Sequence, residues 1–262
     1  MTLPHRKPIA LLIAIILIGI MIASGCHSKH IVPHPVATSA PPPPRPTDGA
    51  IRPTGLALTF APSAEPTGFG LYSYLLLGAK PSEATRPLYV AIVKASLNKT
   101  SEIGTQLRYF KPAQLNYYII PVFEGSPAGG SNEATANWIV DNYDYPRAAK
   151  ILSTLSGSHS GLYILSVLAK PLDLSKPLAP PYFLLDLTHF DPEMATAAIQ
   201  YFLDQASKDE PWEENVGQRM ALDVRNYIEK MGNQMHFVGP ALTTAIQWLQ
   251  PPKAQESPTA NR

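Results

Sequence analysis

The chain reads as an α/β or α+β domain, with a central sheet of about five strands, helices packed on it and a helical layer at its C-terminal end. Three observations point there. Short apolar runs alternate with amphipathic stretches as far as residue 188. One run, 115–123, is apolar on both faces, the mark of a strand covered on both sides. Beyond Asp191 the apolar residues recur every three or four positions, as one face of a helix requires. The 262 residues are 45% hydrophobic and 16% charged, enough apolar material for one sizeable core.

Taken in order, 55–60 and 68–77 are the first two expected strands, the second carrying Phe69, Leu71, Tyr72, Tyr74, Leu75 and Leu77. Thr85 is placed to cap a helix running to about Leu97, with Pro87 tolerated in its first turn. In 115–123, Leu115, Tyr117, Ile119 and Phe123 alternate with Tyr118, Ile120 and Val122. Ser131 caps a helix through Trp138, Ile139 and Val140, and Pro146 opens another that stops before Gly157. Strands follow at 162–168 and 182–187. Asp191-Pro192 supplies an N-cap and a first-turn proline for a helix through Ile199, Phe202 and Leu203. Pro211 opens a helix whose apolar face runs from Trp212 to Met231 and which Gly232 closes. Pro240 opens a last short helix with Leu242, Ile246 and Leu249 inward. There is no internal repeat, and strand order does not follow from the sequence.

The N-terminal residues 1–25 have the form of a signal peptide or membrane anchor. His5, Arg6 and Lys7 precede an unbroken apolar run from Ile9 to Ala23, which leads into Ala23-Ser24-Gly25-Cys26. Small residues before a cysteine at the end of such a run resemble the lipobox of bacterial lipoproteins. The resemblance implies cleavage before Cys26, acylation of that residue, and a domain facing the periplasm. His27 stands where the family's inner-membrane retention signal is Asp, which implies the outer membrane. The alternative is an uncleaved helix: residues 9–25 make roughly 25 Å of helix against a hydrocarbon core of about 30 Å. Both place the remaining chain on the side opposite the basic residues.

On the lipoprotein resemblance, residues 26–54 would be the lipidated cysteine and a linker. Eight prolines lie between Pro33 and Pro53, including Pro41-Pro42-Pro43-Pro44. Proline has no backbone donor and a fixed φ, so the stretch favours polyproline II and reaches roughly 85 Å when extended. A single globular domain follows over 55–250, and a polar tail over 251–262.

Charge and composition exclude several classes. With 21 Lys and Arg against 20 Asp and Glu, the chain lacks the basic field of a nucleic-acid binder. A single cysteine leaves no disulfide framework and no Cys-rich zinc site. Residues 181–250 carry 4 basic and 10 acidic side chains, the composition of a solvated helical face. No cofactor signature is present: the loop from Gly125 to Ser131 lacks the lysine of a phosphate-binding loop and the G-x-G-x-x-G spacing.

Three clusters carry candidate chemistry. Gly157-Ser158-His159-Ser160-Gly161 has the outline of a nucleophile elbow, but histidine occupies the position that needs serine; His159 remains a candidate base. Asp186-Leu187-Thr188-His189-Phe190-Asp191 lies where a strand gives way to a helix; Asp186 could orient His189 as a base, or bind a metal with His189 and Asp191. Asp191 has a competing role as the helix cap. Trp138, Asp141, Tyr143, Asp144 and Tyr145 join aromatic faces to carboxylates, which suits either a glycan site or a packed helix. The phrases Tyr143 to Ala148 and Leu184 to Thr188 resemble envelope proteins of proteobacteria, a resemblance that implies no activity.

Two functions follow as expectations. In the first, the protein is a non-catalytic envelope lipoprotein, held to the membrane by a lipid or helix, whose domain binds a protein or cell-wall partner. In the second it is an envelope hydrolase or metal-assisted enzyme using Asp186 and His189, with His159 as a further candidate.

Overall fold

The computed structural model describes residues 52–60, 65–127, 129–157, 159–208, 217–234 and 245–249. The basic N-terminus, the apolar run, Cys26, the linker prolines before Arg52 and the C-terminal tail lie outside the described residues, as do Ser158, Pro211, Trp212, Pro240 and Leu242. No helix among the described residues is long and apolar enough to cross a membrane.

The fold is α/β: a mixed seven-stranded sheet with helices around it. The strands are β1 (Thr54–Phe60), β2 (Leu71–Leu77), β3 (Ser101–Glu102), β4 (Asn116–Val122), β5 (Leu162–Leu168), β6 (Tyr182–Asp186) and β7 (Ile246–Leu249), in the spatial order β3-β1-β4-β2-β5-β6-β7. β3, β1, β4 and β2 run parallel, while β5, β6 and β7 alternate in direction beyond them. The helices are α1 (Arg86–Lys99), α2 (Ile103–Gln106), α3 (Asn132–Asn142), α4 (Tyr145–Leu152), α5 (Pro192–Ala206) and α6 (Gly217–Gln234).

All seven residues of β2 and of β4 are buried, so the central strands are covered on both faces, as the apolar run 115–123 indicated. Register assigns the faces. Tyr118, Ser73, Ser166 and Phe183 lie opposite one another along one row. On that face Tyr118 hydrogen-bonds Ser96 of α1 at 2.8 Å, and the Phe183 and Phe202 rings meet edge to face, which places α1 and α5 there. α1 packs between α3 and α5, and α6 follows on α5. The neighbouring row is Gly55, Tyr117, Tyr72, Val167 and Tyr182, on the other face. Phe69, in the β1–β2 connection, covers it, its ring 4.4 Å from Tyr117 and 5.9 Å from Tyr72. α2 crosses the edge, where Gly55 leaves room for Ile103 that a Cβ would occupy.

Caps form largely where short polar side chains precede the helices. Ser131 accepts from the Ala134 amide, Asp144 from Arg147, and Asp191 from Glu193 and Met194. Thr85 occupies the cap position of α1, but its hydroxyl turns back to Ser82 rather than onto the helix.

Three sequence expectations are corrected. The sheet has seven strands rather than about five, because β3 is a two-residue polar edge and the segment expected as a last helix is β7. Ile246 and Leu249 satisfy a helical spacing, but β6 is an apolar strand needing a partner, and β7 pairs with it from Leu185↔Ile246 to Tyr182↔Leu249. Gly232 does not close its helix: α6 continues to Gln234, since one internal glycine costs only about 1 kcal/mol against an unbroken hydrogen-bond ladder. The aromatic–acidic cluster takes its packing role. Tyr143 is fully buried and its hydroxyl donates to the Leu75 carbonyl at 2.6 Å while accepting from the Leu77 amide. Asp144 is buried as the α4 cap, and Asp141 pairs with Arg86.

Candidate functional site

The end of the sheet that carries Asp186 holds the sequence-derived candidates, and each is engaged separately. Asp186 Oδ1 accepts from the Thr188 amide at 2.9 Å and its hydroxyl at 2.5 Å, closing a tight turn after β6. Thr188 Oγ1 in turn accepts from the Leu162 amide, which fastens the start of β5 to that turn. Gly161 is required beside it, because a Cβ there would fall on Thr188 Oγ1. His189 is exposed and makes no hydrogen bond or ion pair among the described residues. Asp191 is fully employed as the α5 cap.

His159 is on the other side of the turn. Its Nε2 donates to the Ser156 carbonyl at 2.9 Å, and its ring stands perpendicular to Tyr163 at 5.4 Å. Tyr163 lies opposite Asp186 in the β5–β6 register; burial raises its hydroxyl pKa, and the Asp186 charge raises it further. Thus the structure brings His159 and Asp186 to the same sheet end without joining either to His189. Among the described residues no three His, Cys, Asp or Glu side chains gather as a metal set would.

A groove of about 390 Å³ between α1 and α3 is lined by ion pairs, Arg86 with Asp141 and Lys94 with Glu133, so its charges are matched internally.

The opposite end of the sheet holds a cleft the sequence did not reveal. β5 and β6 are joined by 169–181, thirteen residues where a hairpin loop usually has about 2–5. This loop folds into a cleft of about 470 Å³ walled by Val167, Leu168, Leu172, Leu178 and the prolines 171, 177, 180 and 181. Binding cavities for small ligands usually span roughly 300–1,000 Å³. Its base is a strained turn: Ala169 sits at φ 58°, and the Lys170 amide bonds the Leu168 carbonyl at 2.8 Å. The length of the loop and its four prolines are the signals that could have marked it.

A buried polar relay holds the loop. The Tyr74 hydroxyl accepts from the Leu172 amide at 3.1 Å and donates to Glu65 Oε2 at 2.5 Å. Glu65 Oε1 accepts from Arg147 of α4 at 2.8 Å. Burial raises the Tyr74 pKa well above its ordinary value and the Glu65 charge adds to the shift, so the phenol stays protonated as the donor. Arg147 Nη1 is buried without a hydrogen-bond partner among the described residues. The relay fixes the cleft wall to the sheet and the β1–β2 connection together.

Comparison of the chain with protein-family models, with curated proteins and with solved structures finds no match.

Proposed function

We propose that the protein is a membrane-tethered envelope lipoprotein whose domain is a binding module, with the β5–β6 cleft as its ligand site. The observation that carries the binding reading is the cleft itself: an apolar concavity of ligand size whose wall is held in place by the Tyr74–Glu65–Arg147 relay. The catalytic alternative lacks comparable support, because Asp186 serves Thr188 and Asp191 serves α5, with His189 joined to neither. The tether reading rests on the run ending at Cys26 and on the prolines after it.

The test is complementation of a deletion strain together with labelling by a palmitate analogue. Wild-type chain incorporates the label and Cys26→Ala does not. Removal of the linker abolishes complementation, whereas Asp186→Asn and His189→Ala complement fully. Loss of function in His189→Ala with folding and labelling intact would instead establish the hydrolase or metal-assisted reading.

A further inference from the structure

We propose that the β5–β6 cleft is a hydrocarbon-chain site, taking a single-chain fatty carboxylate with its alkyl end against the prolines and its carboxylate on Lys170. The inference rests on the reading of the domain as a binding module and names the ligand class of that same site.

Free backbone donors are scarce in the cleft wall. Pro171, Pro177, Pro180 and Pro181 have no N–H. The remaining amides of the wall are mostly committed: Lys170 to Leu168, Leu172 to Tyr74, Lys176 to Asp173, and Leu178 to Thr154. Val167 and Leu168 belong to the β5 ladder. A peptide laid in the cleft would bury most of its own carbonyls against a wall with few free donors, at a cost an alkyl chain does not incur. β-Strand addition is disfavoured because β5 is already paired on both sides, with β2 and β6.

The charges at the cleft point to the same ligand. Lys170, Asp173 and Lys176 stand around the cleft. Asp173 and Lys176 pair at 2.8 Å, while Lys170 is exposed and has no acidic partner among the described residues. One uncompensated cation beside an apolar wall complements a ligand with one anionic group and an apolar body.

The test uses the full chain in phosphatidylcholine nanodiscs, equilibrated with radiolabelled octanoate, decanoate or dodecanoate, with empty nanodiscs subtracted. Saturable binding is expected, Kd tightening about threefold to fourfold per added methylene until the cleft is filled. Lys170→Gln weakens carboxylates about threefold to fivefold and leaves the matching primary alcohols unchanged. Leu178→Gln weakens both classes alike, with its melting temperature recorded as a check on folding. No saturable binding, no dependence on chain length, or an unchanged carboxylate-to-alcohol ratio in Lys170→Gln overturns the proposal, as does displacement by apolar peptides but not by carboxylates. A chain that passes the complementation and labelling test yet binds no carboxylate overturns the hydrocarbon site alone.

Discussion

Arg147 Nη2 lies 2.8 Å from Glu65 Oε1, with 13% and 11% of the two side chains exposed. The pair joins α4 to the β1–β2 connection beneath the sheet and is anchored from the strand by Tyr74. A buried ion pair contributes little over a well-packed apolar pair, but removing one member leaves an uncompensated charge out of water.

Glu65→Gln is therefore expected to cost about 3 kcal/mol, because the Arg147 guanidinium then lacks its counter-ion. Arg147→Met should cost a similar amount, and the double variant less than the sum of the two. Urea titrations of the three variants check this. A double variant destabilised by the full sum would mean that the two residues act independently.

Tyr74→Phe removes the acceptor of the Leu172 amide and a donor to Glu65 without changing the packing of the ring. The expected loss is about 1–3 kcal/mol, the range for leaving buried partners unsatisfied. Hydrogen exchange locates it: the Leu172 amide should lose protection while amides of β4 on the same sheet keep theirs. Equal loss throughout the sheet would show that the phenol stabilises the core as a whole and not the cleft wall.

What the sequence made legible and what it concealed divide by range. The apolar residues of 115–123 already required a strand with two covered faces, and Ser131 and Asp191 required helix starts, because each signal lies within a few residues. β7 did not declare itself, since Ile246 and Leu249 fit a helical face as well as a strand, and only pairing with β6 decides between them. Glu65 and Arg147 look like ordinary surface charges in the sequence; the crossing of the β1–β2 connection over Tyr72 and Tyr74 is what buries them together. The Asp186 cluster shows the reverse. It combines suitable residue types at suitable spacing, yet a turn closed by Thr188 and a cap at Asp191 account for both carboxylates.

That division of labour predicts opposite effects at neighbouring positions. Asp191→Ala should cost about 1 kcal/mol, because it frees the Glu193 and Met194 amides at the start of α5. His189→Ala, at an exposed side chain without partners among the described residues, should change stability by less than about 0.5 kcal/mol. Thermal melts of the two variants under identical conditions make the comparison. A large loss at His189 with none at Asp191 would reverse the assignment.

The buried tyrosines set the alkaline limit of the fold. Tyr118 and Tyr143 are fully buried, and desolvation raises both pKa values far above the usual phenol value; the hydrogen bonds to Ser96 and Leu77 offset only part of that shift. In the unfolded chain both ionise near pH 10. Above that pH the unfolded state has released protons that the folded state retains, so stability is fully present below about pH 10 and falls as pH rises toward the folded-state values. Circular dichroism and phenolate absorbance, followed together from pH 8 upward, should show these tyrosines titrating only as the sheet unfolds. Titration of all twelve tyrosines near pH 10 with the sheet intact would mean that water reaches Tyr118 and Tyr143, and that the packing of α1 on β4 is looser than the 2.8 Å Ser96–Tyr118 contact implies.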